Sequence, residues 1–208
     1  MPISERRMSR ADRSRIALLT FQEQRRDREE EQFIRWLNPQ TTDRIFDVGT
    51  NTGQFLTKLR DHYGVQQVAG CDSNPHVARP ELHIYQLSAE QLTGIADEAY
   101  TRVTMRHVLE HTADPAAALT EAHRISAPSG TLHIACFLYT PELVQHSSVT
   151  EAITEPPHQF TQDQLVQLVS VAGFTIEQQD IVTELSSMPQ GDAQFPSLLI
   201  VARKSEGK

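Results

Sequence analysis

Past residue 40 the chain alternates short apolar runs with stretches whose apolar residues recur every three or four positions. That order predicts βαβ units around a mostly parallel sheet. Arg44–Val48 reads as the first strand, and Gly53–His62 as a helix with Phe55, Leu56 and Leu59 inward. Gln67–Cys71, His83–Leu87 and Arg102–Arg106 read as the second, third and fourth strands. Asp114-Pro115 marks a helix start, because the carboxylate can cap free N–H groups and proline suits the first helical position; Ala116–Ile125 continues it. Pro128-Ser129-Gly130 predicts a break and Thr131–Phe137 a fifth strand. Thr161-Gln162-Asp163-Gln164 has the form of a capping box, opening a helix that carries Leu165, Leu168 and Val169 and stops at Gly173. Phe174–Ile181 and Ser197–Ala202 predict two closing strands, a hairpin with a long connection around Pro189–Pro196. Ahead of all this, the spacing of Ile16, Leu19, Phe33, Ile34 and Leu37 predicts one or two amphipathic helices, with Ile16–Phe21 as the apolar part of the first. The chain therefore divides into a helical cap or arm over 1–40 and a ligand-binding α/β domain over 41–208.

Composition narrows the class. A length of 208 residues fits one domain, 38% hydrophobic residues supply an ordinary core, and no apolar run approaches the roughly 18 residues of a membrane span. The formal net charge of −8 speaks against a duplex nucleic-acid partner and for small-molecule substrates. Cys71 and Cys136 each fall inside an apolar run, so buried, reduced thiols are expected rather than a disulfide. Eight of the sixteen arginines lie between Arg6 and Arg28, but Glu5, Asp12, Glu23, Asp27, Glu29, Glu30 and Glu31 interleave with them or follow directly. An organelle transit peptide is poor in acids and a secretory signal needs an apolar centre, so a cytoplasmic protein without a membrane anchor is expected. The arginine-rich segment reads either as a solvated helix on the domain or as a lid or homodimer arm whose arginines meet an acidic substrate.

The chemistry begins at the first strand-to-helix turn, Asp47-Val48-Gly49-Thr50-Asn51-Thr52-Gly53. Its glycines permit backbone angles and close ligand approach that a β-carbon would obstruct. Nineteen residues beyond Gly53 stands Asp72, at the end of the second strand, where a carboxylate can accept both hydroxyls of an adenosine ribose; Ser73 follows it. Both features also occur in NAD-binding domains. The glycine spacing is not G-x-G-x-x-G, however, and Asp47 would repel a pyrophosphate while suiting a ligand that bears an ammonium and a sulfonium. An amino-acid-bearing nucleoside fits better.

With Phe46-Asp47-Val48-Gly49-Thr50-Asn51-Thr52-Gly53 and Asp72, the segments Ser88-Ala89-Glu90, His107-Val108-Leu109-Glu110-His111 and Pro128-Ser129-Gly130 make the stretch from about Asp43 to Phe174 resemble the class I S-adenosylmethionine-dependent methyltransferases. The resemblance implies a Rossmann-like, doubly wound seven-stranded sheet of order 3-2-1-4-5-7-6 with strand 7 antiparallel. It implies S-adenosylmethionine as cofactor, with Gly49 and Gly53 along the methionine moiety, Asp72 on the ribose, Ser88 and Ala89 at the adenine edge, His107 near the sulfonium and Asp47 holding the ammonium. Two positions depart from the commonest pattern. Asn51 stands where a glycine is frequent, and asparagine tolerates left-handed angles; Ser88 stands where an aspartate often holds the adenine amino group, leaving one neutral hydrogen bond worth about 1 kcal/mol. The H-x-x-E-H spacing of His107 to His111 also matches inverted zinc peptidases, but that motif needs a helix, and here it leaves a strand. No metal site is expected.

Methyl transfer asks chiefly for alignment, and one base suffices for an O–H or N–H acceptor. His111 is the first candidate and His158 the second, since an imidazole titrates in the useful range and both segments should roof the pocket. Pro156-Pro157-His158 resembles a segment before the late helix of several small-molecule methyltransferases. The loop from Leu138 to Pro157, with Tyr139 and His146, is the expected seat of acceptor selectivity. Two other classes stay open: a methyltransferase fold kept as a silent cofactor-sensing or partner-binding module, and an NAD-dependent oxidoreductase.

Overall fold

The computed structural model describes residues 28–74, 80–138, 157–188 and 191–205. Helix α1 occupies 28–37. It is followed by β1 (Arg44–Val48), α2 (Gln54–Tyr63), β2 (Gln67–Asp72), β3 (Ile84–Gln86) and β4 (Tyr100–Arg106). Then come α3 (Pro115–Ile125), β5 (Ser126–Phe137), α4 (Gln162–Val171), β6 (Phe174–Met188) and β7 (Gly191–Lys204). The seven strands lie in the order β3-β2-β1-β4-β5-β7-β6. The first five are mutually parallel, and β7 runs antiparallel to both β5 and β6.

Strand alternation explains the two layers of helices. Phe46 and Val48 of β1 pack with Val103, Met105, Leu119 and Ile125 on one face, whereas Ile45 packs with Phe55, Leu56 and Leu59 on the other. Side chains two apart share a face, so a strand apolar at successive positions must be covered on both sides. The second face also takes in Phe33, Ile34 and Leu37 of α1, all buried, with Phe33 edge-on to Phe55 at 5.9 Å and to His133 at 6.2 Å. Phe33, Ile34 and Leu37 of the expected cap over 1–40 are thus part of the core, and no packing boundary falls at residue 40; residues 1–27, with the expected apolar run Ile16–Phe21, lie outside the described residues.

Helix starts follow the capping chemistry. Asp114 accepts the N–H groups of Ala116 and Ala117 at 3.0 and 3.1 Å with Pro115 in the first turn, and Thr161 and Gln164 form a reciprocal capping box. Two expectations are corrected. Pro128-Ser129-Gly130 does not end an element: β5 begins at Ser126, and the segment bulges out of the ladder, which jumps from Tyr100↔Ser126 to Arg102↔Thr131 with Ser129 at φ 57°. The hairpin has no long connection, because β6 and β7 stay paired from Phe174↔Lys204 out to Met188↔Gly191. Pro196 sits within β7; its carbonyl accepts the Leu138 N–H at 3.0 Å, just past the last β5–β7 pair at Phe137↔Ser197, where the sheet asks no donor of it. Among the described residues no helix is long and apolar enough to cross a membrane.

Candidate active site

The strand order reverses between β1 and β4, and a crevice opens beyond their carboxyl ends. It holds a cavity of about 990 Å³ whose wall is built from the residues that end each strand: Asp47 from β1, Asp72 and Ser73 from β2, Ser88 and Ala89 after β3, Arg106 and His107 from β4. Gly49, Asn51 and His111 line it too. Gly53 and His158, also expected at the site, are not part of this wall. His158 stacks on Phe160 with ring centroids 5.9 Å apart, and its backbone N–H donates to the Glu110 backbone carbonyl at 3.2 Å.

The turn after β1 is shaped by left-handed angles at Gly49 (φ 70°), Asn51 (φ 49°) and Gly53 (φ 75°). A β-carbon at Gly49 would overlap Val108, and one at Gly53 would overlap Ile84, so the space these glycines leave is filled first by the protein itself. Asp72 fastens the turn: its Oδ2 accepts the Asn51 N–H and its Oδ1 the Asn74 N–H, both at 2.9 Å. Each oxygen keeps a further lone pair. Asp47 is buried and accepts the Thr104 hydroxyl at 2.6 Å; burial raises its carboxyl above the usual range against the opposing pull of Arg106.

Residues that sequence reasoning did not single out make up the rest. The first turn of α1 meets the end of β4: Glu29 reaches His107 Nε2 at 2.6 Å, and Glu30 takes Arg106 Nη1 at 2.6 Å and Lys58 Nζ at 2.8 Å. Successive strand residues point to opposite faces, but His107 adopts φ 54°, and the kink lets it and Arg106 meet adjacent acids of one helix. The Arg106 guanidinium lies 4.0 Å from the centre of the Phe55 ring, and its Nε is buried without an acceptor among the described residues. Glu110, buried within the turn Leu109–His111, approaches His107 Nδ1 at 3.4 Å and accepts the Phe137 N–H at 2.7 Å. Burial alone would depress the His107 imidazole, but Glu29 and Glu110 outweigh it and lift it to about 9. The same contacts hold the Glu110 carboxyl low despite its burial. The signals for these residues were faint: an acid inside the apolar turn at Glu110, an arginine ending an apolar strand at Arg106, and two acids just ahead of the apolar face of α1.

The H-x-x-E-H stretch is no α-helix; it leaves β4 through the kink at His107 into a single 3-10 turn, so His107 and His111 do not have the i, i+4 facing that a zinc site on a helix requires. Two carboxylates, Asp47 and Asp72, and the Arg106 guanidinium line one wall, a mixed-charge lining that suits a zwitterionic ligand.

Known proteins share the fold, and a family match places the chain. A methyltransferase of Methanosarcina mazei described as S-adenosylmethionine-dependent superposes with a TM-score of 0.62 at 19% identity, over 81% of this chain and 95% of its own. A chain of the Haloferax volcanii complex between the Trm112 methyltransferase activator and a methyltransferase gives 0.73 at 21% identity, over 93% and 97%. The [4+2]-cyclase SpnF gives 0.66 at 18% identity, over 87% and 81%. No curated protein matches the chain in sequence. The sequence profile described as a methyltransferase domain matches residues 10–179, and together with the sheet order this makes the chain a member of that family, with the class I S-adenosylmethionine-dependent fold.

Proposed function

We propose that the chain transfers a methyl group from S-adenosylmethionine to an oxygen or nitrogen nucleophile on a small molecule. The observation that carries this reading is the single cavity at the order reversal into which Asp47, Asp72, Ser88, Ala89, His107 and His111 all open. When bound, the cofactor supplies an electrophilic methyl group on a sulfonium. Asp72 accepts the ribose hydroxyls with the lone pairs left by Asn51 and Asn74; Ser88 and Ala89 meet the adenine edge; Asp47 takes the ammonium and Arg106 the carboxylate. His107, charged near neutrality and neutralised by Glu29, is no proton acceptor. The base is then His111, which takes the acceptor's proton as the new bond forms. The net charge of −8 and the want of a membrane-crossing helix among the described residues fit a cytoplasmic enzyme with a small-molecule acceptor.

Calorimetry tests the cofactor half of this reading. S-adenosylmethionine and S-adenosylhomocysteine should bind and NAD should not. Asp72→Asn keeps the side chain's size and one accepting oxygen but removes its charge, so affinity should fall at least about tenfold, the equivalent of ~1.4 kcal/mol. Unchanged affinity in the folded variant would refute the assignment. Transfer of labelled methyl groups into a metabolite extract tests turnover, and its absence with intact cofactor binding would favour a silent sensing module.

A further inference from the structure

Beyond β3 the wall of the cavity runs through Leu87, Ser88, Ala89 and Glu90. Glu90 is anchored from the far side: its Oε1 accepts the Ala113 N–H at 2.6 Å and the Asp114 N–H at 3.4 Å, at the entry to α3. Its Oε2 accepts the hydroxyl of Ser88. The direction of that bond is fixed, because an ionised carboxylate has no proton to give. Burial pulls the Glu90 carboxyl up, but the bonds from Ser88, its own N–H, Ala113 and Asp114 outweigh it and keep it below the usual range. The only proton on Ser88 Oγ is therefore committed away from the ligand. What the oxygen has left is lone pairs, one of them loosely engaged by the Glu90 N–H at 3.4 Å.

We propose that Glu90 is a specificity-determining positioning residue: by taking the hydroxyl proton of Ser88 it turns that side chain into a pure acceptor on the cavity wall, selecting a nucleoside base that presents an exocyclic amino group. The inference rests on the reading of the cavity as a seat for S-adenosylmethionine. It resolves the weakness of a serine at this position. Alone, a hydroxyl can donate or accept and discriminates little; polarised by Glu90, it does the work of a carboxylate oxygen without carrying a charge.

The test compares S-adenosylhomocysteine with its 6-desamino analogue by calorimetry on the full chain. The two differ only in the amino group, so their affinity ratio reads the Ser88 contact. The unsubstituted chain should prefer S-adenosylhomocysteine about five- to tenfold, the size of one hydrogen bond. In Glu90→Gln the amide oxygen stays with the two N–H groups of Ala113 and Asp114, and the amide nitrogen faces Ser88 as a donor. The ratio should then fall to within about twofold, with the affinity of the desamino analogue nearly unchanged. Ser88→Ala should close the ratio in the same way. If Glu90→Gln weakens both ligands equally and leaves the ratio intact, Glu90 merely holds the turn before α3 and the inference is overturned. A ratio that survives Ser88→Ala overturns it as well. If the unsubstituted chain binds neither ligand, the cofactor reading has failed, an outcome distinct from a preserved ratio.

Discussion

His107 is held on both sides by carboxylates, and that single fact redistributes the roles of the histidines. An imidazole lifted to about 9 is charged at neutral pH, so it orients and balances charge but cannot serve as a base. His111 opens into the same cavity and has no acid within hydrogen-bonding distance among the described residues. Replacing His111 with Gln keeps the volume and deletes the basic nitrogen. Turnover should drop about 10²- to 10⁴-fold with S-adenosylhomocysteine affinity within about twofold. His158→Gln is the comparison, since its ring is stacked on Phe160 outside the cavity wall; its rate should stay within about threefold. A loss confined to His158→Gln would reverse the assignment.

Helix α1 is where element and site meet. Phe33, Ile34 and Leu37 are buried against α2 and the sheet, while Glu29 and Glu30 reach the cavity. Phe33→Ala should cost about 3–5 kcal/mol, a large share of the ~5–15 kcal/mol typical of a domain. Deleting 1–40 should accordingly abolish the cooperative thermal transition. An intact transition after this deletion would show that α1 only decorates the domain. The apolar spacing of this helix was legible in the sequence, but its burial was not, because ten residues opening on acids look the same on a core as on a solvated flank until the partner strands are known. β1, by contrast, was legible to the residue, Arg44–Val48, since a charged start, the apolar Ile45, Phe46 and Val48 and the glycine turn that follows bound it on both sides. The asymmetry recurs at the site. Asp47, Gly49 and Asp72 belong to a local spacing, whereas the Glu29–His107 and Glu30–Arg106 contacts join residues 78 and 76 apart and leave no local mark. The extent of β6 and β7 was missed because Pro196 argues against a strand wherever its nitrogen faces a continuing ladder, and here it faces β5, whose pairing with β7 has just ended.

At the scale of the whole molecule, two histidines, one on the cavity wall and one buried, pull stability in opposite directions. His107 is raised to about 9, so its contribution is complete below the unfolded value near 6.5 and is lost as pH climbs through 9, up to about 3 kcal/mol. His133, buried beside Thr131 with its Nε2 2.9 Å from the hydroxyl, is pushed down to about 3 by burial and by Arg102. Its contribution is present above 6.5 and is lost as pH falls toward 3, up to about 5 kcal/mol. Thermal melts across pH should therefore peak near 6.5. His107→Gln should flatten the alkaline limb alone; a limb that persists in that variant would assign it to another group. The clasp between α1 and β4 has a kinetic side as well. Its partners lie 78 and 76 residues apart with β1, α2, β2, β3 and β4 between them, so the clasp is expected to close late in folding, with Glu29→Gln speeding unfolding in stopped-flow measurements and leaving the folding rate unchanged. Interactions made on the native side of the barrier govern the rate of unfolding, not of folding. On that expectation Glu29 and Glu30 set how long the finished pocket lasts, not how quickly it is made.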